Sequence, residues 1–368
     1  MTVPAVTDYR PPRWLRNPHL QSVLSSSAMR RVIGGRALRR LGATTVEHVI
    51  EVDDGVRLQG FHSTIPGRAP RATALLLHGW EGSAESGYMR HTTAALLARG
   101  IDVFRLNFRD HGDTHHLNRD IFHSCRLDEV VQAAAEVARR FPDAPLVAAG
   151  YSLGGNFALR VALAAPAAGI PLRHAVAVCP AVDPAGVLQA LETGLPLYHW
   201  YFMRKWRRSL ARKRALFPDL HDFDDAVLAL DMRGLTGWMV KRHTALAGID
   251  DYFDGYNIGG GRLAALQVPA SVLAAADDPV IPVGDFPELR LPAHSTLQIA
   301  DFGGHCGFIE GAGLGGFAER WVADRLDAAV AEAARATMPA SARPIARPFS
   351  ARWIRWDEEL NHWRVSSS

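Results

Sequence analysis

Short uninterrupted apolar runs recur through the middle of the chain, and most are followed by a segment of helical spacing. Residues 72–77 (ATALLL) form the first such run. A run without polar alternation suits a strand covered on both faces of a parallel sheet. Residues 84–99 then show helical periodicity, and 101–108 (IDVFRLNF) read as a second strand. Residues 127–140 predict a helix with Leu127, Val130, Val131, Ala134 and Val137 along one side. A third strand is expected at 145–149, a helix at 153–165 and a fourth strand at 174–179 (HAVAVC).

After Pro180 the alternation stops for roughly ninety residues, then resumes with strands at 270–276 and 296–300 and a helix at 317–336. Upstream, residues 45–52 and 56–62 alternate polar and apolar across Asp53-Asp54-Gly55, which predicts a β-hairpin. The class that follows is α/β, a mostly parallel doubly wound sheet with an inserted helical lid at about 182–261. The expected organisation is an N-terminal extension over 1–44 packing on the body, a domain over 45–336 and a tail over 337–368. The extension reads as basic and irregular, broken by Pro11, Pro12 and Pro18.

Composition narrows the function classes only a little. At 48% hydrophobic and 21% charged residues, the chain is globular rather than disordered. A formal charge of +3 gives no reason to expect a nucleic-acid partner. Cys125, Cys179 and Cys306 lie far apart without a C-x-x-C pair, so free thiols of a reducing compartment are expected. The N-terminus has no apolar core of signal-peptide length, and no stretch approaches the ~20 apolar residues of a membrane span. A cytoplasmic protein is therefore expected.

The chemistry gathers at the strand ends. Gly150-Tyr151-Ser152-Leu153-Gly154-Gly155 joins the third buried strand to its helix. A G-x-S-x-G pattern is weak alone, but at a strand–helix junction it reads as a nucleophile elbow, with the serine at the positive end of a helix. A serine hydroxyl needs a base. Of the sixteen histidines, His305 in Asp301-Phe302-Gly303-Gly304-His305 directly follows the last expected strand. It also completes the chain order serine, acid, histidine. The acid should follow the preceding strand, where Ala276-Asp277-Asp278-Pro279 offers two carboxylates. Asp278 is preferred because it immediately precedes the proline, leaving Asp277 to shape the loop. His78-Gly79-Trp80 follows the first buried strand, so the N–H groups of Trp80 and Leu153 are the expected oxyanion donors. His78 itself is assigned a structural role. Asp110-His111-Gly112-Asp113-Thr114-His115-His116 has the residue types of a metal site but reads better as a polar loop bordering the active site.

At these residues the chain resembles the YheT-like α/β-hydrolases, the AB hydrolase 4 family. The likeness begins with Pro11-Pro12-Arg13-Trp14-Leu15-Arg16-Asn17-Pro18-His19-Leu20-Gln21, similar to the family's N-terminal "NPHLQT" signature. It continues through His78-Gly79-Trp80-Glu81-Gly82-Ser83, the elbow, Asp251-Tyr252-Phe253, Asp277-Asp278-Pro279 and Gly303-Gly304-His305-Cys306-Gly307-Phe308. The resemblance covers roughly residues 10 to 330 and implies a carboxylic-ester hydrolase with Ser152, Asp278 and His305 as its triad. Three departures stand out: Ser22 replaces the usual threonine, Asp110 stands where a glycine is expected, and 256–261 (YNIGGG) is unusually glycine-rich.

Within the insertion, residues 198–214 hold seven Lys/Arg, several aromatics and no acid, and an acidic stretch at 219–231 follows. Pairing inside the lid is the favoured reading, with peripheral contact to anionic lipid as the alternative. The expected substrate is a small-molecule or lipid ester of short to medium acyl length, turned over without metal or organic cofactor. Lipase, phospholipase or thioesterase action by the same triad is the nearest rival. A non-catalytic lipid-binding protein is the rival from another class.

Overall fold

The computed structural model describes residues 5–337, 354–357 and 362–365, with side chains over 7–335. Its first elements are β1 (Ala5–Val6), α1 (Pro18–Ser25) and α2 (Ala28–Arg40). The hairpin strands β2 (Thr44–Glu51) and β3 (Arg57–Thr64) come next, then β4 (Ala72–Leu77), α3 (Gly87–Ala98) and β5 (Ile101–Leu106). They are followed by α4 (Leu127–Arg140), β6 (Leu146–Tyr151), α5 (Leu153–Ala164) and β7 (Leu172–Val178). Five helices fill the insertion: α6 (Pro184–Thr193), α7 (Pro196–Leu216), α8 (Asp225–Ala229), α9 (Met232–His243) and α10 (Ile249–Asp254). The chain returns to the sheet with β8 (Ala270–Ala275) and β9 (Thr296–Ala300) and continues into α11 (Phe317–Thr337). By itself, the C-terminal unit holds β10 (Ile354–Asp357) paired antiparallel with β11 (His362–Val365). Most of the 337–368 tail lies outside the described residues.

The nine strands run in the order β1-β9-β8-β7-β6-β4-β5-β3-β2. Pairing is parallel from β1 to β5 and antiparallel at β5–β3 and β3–β2. Strand β4 shows why its sequence is apolar throughout. Successive side chains point to opposite faces, so Leu75 and Leu77 join a core containing Val130 of α4 and Phe157 of α5. Ala74 and Leu76 join a second core containing Leu96 of α3 and Val322 of α11. Both faces are covered, and the expected doubly wound sheet is the result.

The expectation of an irregular N-terminus needs correction. Residues 18–25 and 28–40 are helices, and Ala5–Val6 adds a parallel strand beside β9. The helix starts carry ordinary signals: Asn17 caps α1 through Leu20 N–H with Pro18 in its first turn, and Ser27 caps α2 through Arg30 N–H. The two adjacent glycines of α2, Gly34 and Gly35, disguise it, since glycine is a poor helix former. Gly34 is small because α2 lies tight against α3: a Cβ there would sit 2.9 Å from the Arg90 Cβ. Buried Arg30 pairs with buried Glu319, tying α2 to α11.

Candidate active site

Ser152 stands between β6 and α5 with φ 55° and ψ −122°, a strained conformation for a side-chain-bearing residue. The glycines around it are enforced by close approach. A Cβ on Gly150 would lie 2.0 Å from the Gly154 carbonyl oxygen, and one on Gly154 would lie 2.3 Å from that of Leu77. The turn therefore packs backbone on backbone, and the serine hydroxyl projects from the sheet's carboxyl edge.

His305 reaches that hydroxyl: its Nε2 lies 2.9 Å from Ser152 Oγ. Its Nδ1 donates to Asp278, 3.0 Å from Oδ2 and 3.2 Å from Oδ1. Asp278 is itself fixed, because Oδ1 accepts from Val280 N–H at 2.8 Å and Ile281 N–H at 3.0 Å. Asp277 instead accepts from Gly304 N–H at 2.8 Å, so it shapes the histidine loop without meeting the imidazole. Burial opposes a charge on His305, but Asp278's charge and hydrogen bond, with Cys306, outweigh it and raise the imidazole to about 9.

Trp80 and Leu153 both line the space around Ser152. Leu153 is the first residue of α5, so its N–H has no partner within the helix. The loop carrying Trp80 is held from several sides. His78 is buried and kept neutral chiefly by that burial. Its Nε2 accepts from Phe108 N–H at 3.2 Å, which leaves Nδ1–H to donate to Gly79 O at 2.8 Å. Gly79 N–H donates to Tyr88 OH at 3.0 Å, and Lys205 Nζ donates to the Glu81 carbonyl. Glu81, at φ 56°, faces the same space, and burial pushes its carboxyl up to about 7 against the pull of Lys205.

The 110–116 loop is organised by lid cations. Buried Asp110 and buried Lys213 pair at 2.6 Å, and Asp113 pairs with Arg212 at 2.8 Å. His115 Nε2 meets Ser209 Oγ at 2.7 Å, and His111 Nδ1 donates to Arg109 O. Asp110 sits at φ 61°, the left-handed region where glycine is the unstrained choice. The lid's basic residues thus divide between this loop and the acidic stretch after the basic helix, where Arg214 takes Asp225 and Arg242 of α9 takes Asp222. Arg204 and Arg208 have no ion pair among the described residues.

The largest contribution missed in the sequence comes from α1. His305 N–H donates to Ser22 Oγ at 2.8 Å, and that hydroxyl donates to Pro18 O at 2.7 Å. Gln21, fully buried, accepts from Ile309 N–H at 2.7 Å and donates to Leu15 O and Tyr9 OH, each at 2.8 Å. Ser25 Oγ donates to Cys306 O at 2.8 Å. The N-terminal signature thus clasps the loop that carries His305. The signal was present in 17–22 (NPHLQS), whose polar residues have no evident purpose in a surface helix.

An apolar cavity of about 120 Å³ opens from Ser152 into the lid, with Leu188, Leu191, Leu210, Met232 and Met239 among its walls. Among the described residues, no helix is long and apolar enough to cross a membrane. The sheet order, the strained elbow and the helices inserted after β7 define an α/β-hydrolase.

Residues 68–310 match the family described as serine aminopeptidase, S33, and the chain belongs to that hydrolase family. It is similar to the Escherichia coli protein YheT, named as an esterase, with 28% identity over 87% of this chain and 92% of that one. This agrees with the resemblance carried by the motifs. It is also 26% identical to phospholipase ABHD3 of Mus musculus over 66% of this chain, spanning 59% of that protein. Among solved structures, an esterase of Pyrococcus furiosus shares the fold at TM-score 0.53 and 14% identity, covering 80% of this chain and 95% of that one. A 2,6-dihydroxy-pseudo-oxynicotine hydrolase does so at TM-score 0.55 and 17% identity, covering 82% and 72%.

Proposed function

We propose that this protein is a serine esterase that cleaves carboxylic esters of short- to medium-chain or lipid-like acyl groups through an acyl-enzyme on Ser152. The observation that carries the reading is the hydrogen-bonded line Ser152–His305–Asp278 at the mouth of an apolar cavity. In the first step Ser152 Oγ attacks the ester carbonyl while His305 Nε2 takes the hydroxyl proton. Asp278 holds Nδ1–H, fixes the tautomer and stabilises the imidazolium. The Trp80 and Leu153 N–H groups receive the oxyanion, each worth ~10²–10³ in rate. His305 then returns the proton to the departing alcohol. In the second step water, deprotonated by the same imidazole, releases the acid and restores the serine. None of these steps calls for a metal or an organic cofactor. The esterase and phospholipase names of relatives support an ester substrate.

The test is labelling by a fluorophosphonate, run beside hydrolysis of p-nitrophenyl esters from acetate to palmitate, for wild type and Ser152→Ala. Labelling and turnover lost together in the variant are expected, with a maximum at short to medium chains. Folded wild type that neither labels nor cleaves any ester would overturn the reading in favour of a binding protein.

A further inference from the structure

Two buried thiols take no part in the hydrolytic steps, yet both lie against the loop that carries their base. Cys179 directly follows β7 and is fully buried. Its N–H donates to Leu273 O of β8 at 2.7 Å, so the sheet holds it in place. Cys306 directly follows His305. Although far apart in sequence, the two sulfurs face each other. Cys179 Sγ lies 3.9 Å from Gly304 O, and Cys306 Sγ lies 3.7 Å from Val178 O. Each sulfur therefore reaches backbone within two residues of the other cysteine, and the Cys179 S–H donates to the Cys306 sulfur.

The two thiols are unequal. Cys306 borders a space of about 270 Å³ shared with Ser152 and His305, and Cys179 is not among its walls. Burial opposes a thiolate at Cys306, but the hydrogen bond from Cys179 and the charge of His305 outweigh it and bring the thiol below its ordinary value. Burial and that same hydrogen bond keep the proton on Cys179. The remaining cysteine, Cys125, donates to Tyr252 O at 3.3 Å, and burial pushes it up to about 11, which makes it a poor nucleophile. A thiolate open to a cavity and backed by a second thiol is the arrangement that oxidants convert to a disulfide.

We propose that Cys306 and Cys179 are an oxidation site: a hydroperoxide entering the space beside Ser152 oxidises Cys306, and Cys179 then closes a disulfide that draws His305 away from Ser152. In the first step the Cys306 sulfur attacks a peroxide oxygen and the O–O bond breaks. With hydrogen peroxide, the departing hydroxide takes a proton from the His305 imidazolium and leaves as water. In the second step the Cys179 sulfur displaces the hydroxyl from the Cys306 sulfenic acid, and its proton leaves with that hydroxyl as a second water. The two sulfurs lose two electrons and the peroxide gains them. Bonded sulfurs stand about 2.05 Å apart, so the hydrogen-bonded pair must close up. Cys179 is anchored in the sheet, so the movement falls on Cys306 and on the imidazole beside it. A displacement of about 1 Å at a catalytic group costs on the order of a hundredfold in rate. The loss of activity rests on the esterase reading, whereas the disulfide does not.

The experiment treats full-length wild type, Cys179→Ala and Cys125→Ser with hydrogen peroxide and then with dithiothreitol. Hydrolysis of p-nitrophenyl butyrate, relative to each untreated protein, is read beside peptide mass mapping. Wild type and Cys125→Ser should lose activity at least about tenfold as a 179–306 disulfide appears, and dithiothreitol should reverse both. Cys179→Ala cannot close the disulfide, so its Cys306 should pass to sulfinic acid and its activity should not return. Wild type that keeps its activity in peroxide, or loses it without a 179–306 disulfide, would overturn the proposal. So would a disulfide that leaves activity within about twofold. Untreated enzyme that neither labels with fluorophosphonate nor turns over ester would instead remove the esterase reading, with the oxidation site still decided by the mass map.

Discussion

Replacing Ser22 with alanine tests how far the N-terminal clasp sets the catalytic geometry. Ser22 is buried, and its hydroxyl both accepts from His305 N–H and donates to Pro18 O. Alanine leaves that N–H without its partner, a loss of roughly 1–3 kcal/mol. The loop is poorly placed to hold the histidine alone, because Gly303 and Gly304 before it adopt φ 154° and 53°. Gly304 also fits only because it lacks a Cβ, which would come within 2.3 Å of Pro18 O. If about 1.4 kcal/mol of the loss falls on the placement of the imidazole, kcat drops about tenfold. KM should change little, since Ser22 does not line the cavities around Ser152. The assay is steady-state hydrolysis of p-nitrophenyl butyrate with a thermal melt alongside, for wild type, Ser22→Ala and Ser22→Thr. Threonine keeps the hydroxyl and should recover most of kcat. A Ser22→Ala enzyme with kcat within twofold of wild type would refute the reasoning.

Four further outcomes are expected. In the proposed mechanism the neutral form of His305 is the base, so a group raised to about 9 makes kcat/KM climb with pH through that region. Gly154→Ala drives a methyl into the Leu77 carbonyl and should leave little folded enzyme, read by soluble yield and circular dichroism. Asp110→Gly relieves the left-handed strain at that position but strands the buried Lys213 ammonium. A net loss of about 3 kcal/mol or more in urea unfolding is expected, because an uncompensated buried charge outweighs one strained residue. Finally, Met239→Trp should fill the apolar cavity and move the preferred p-nitrophenyl ester at least two carbons shorter.

The sheet was legible because its signal is local. A strand such as 72–77 must be apolar at every position to serve two cores, and helix 127–140 needs one apolar side. The elbow was legible for a different reason: backbone crowding permits little other than glycine at 150 and 154. What the sequence hid depends on distant partners. Helix α2 carries glycines that make sense only against Arg90, and Arg30 looks like a surface residue until Glu319 meets it. The division of labour between Asp277 and Asp278 is likewise set by which carboxylate faces Gly304 N–H and which faces the imidazole. The basic helix suggested partners in the acids just after it, yet Arg212 and Lys213 fold back on a loop about a hundred residues earlier.

The clasp on the histidine loop also imposes an order of events at the ribosome. Ser22 and Gln21 leave the exit tunnel early, while their partners at 305 and 309 are made more than 280 residues later. At typical elongation rates of 5–20 residues per second, that gap lasts about 15–60 s. Throughout it α1 exists without the backbone groups it is built to hold, and β1 without the β9 edge. The nascent chain therefore cannot assemble a working hydrolase site piecemeal: its first helix is among the last pieces to dock, and the nucleophile gains a fixed base only as the two ends of the domain close on each other.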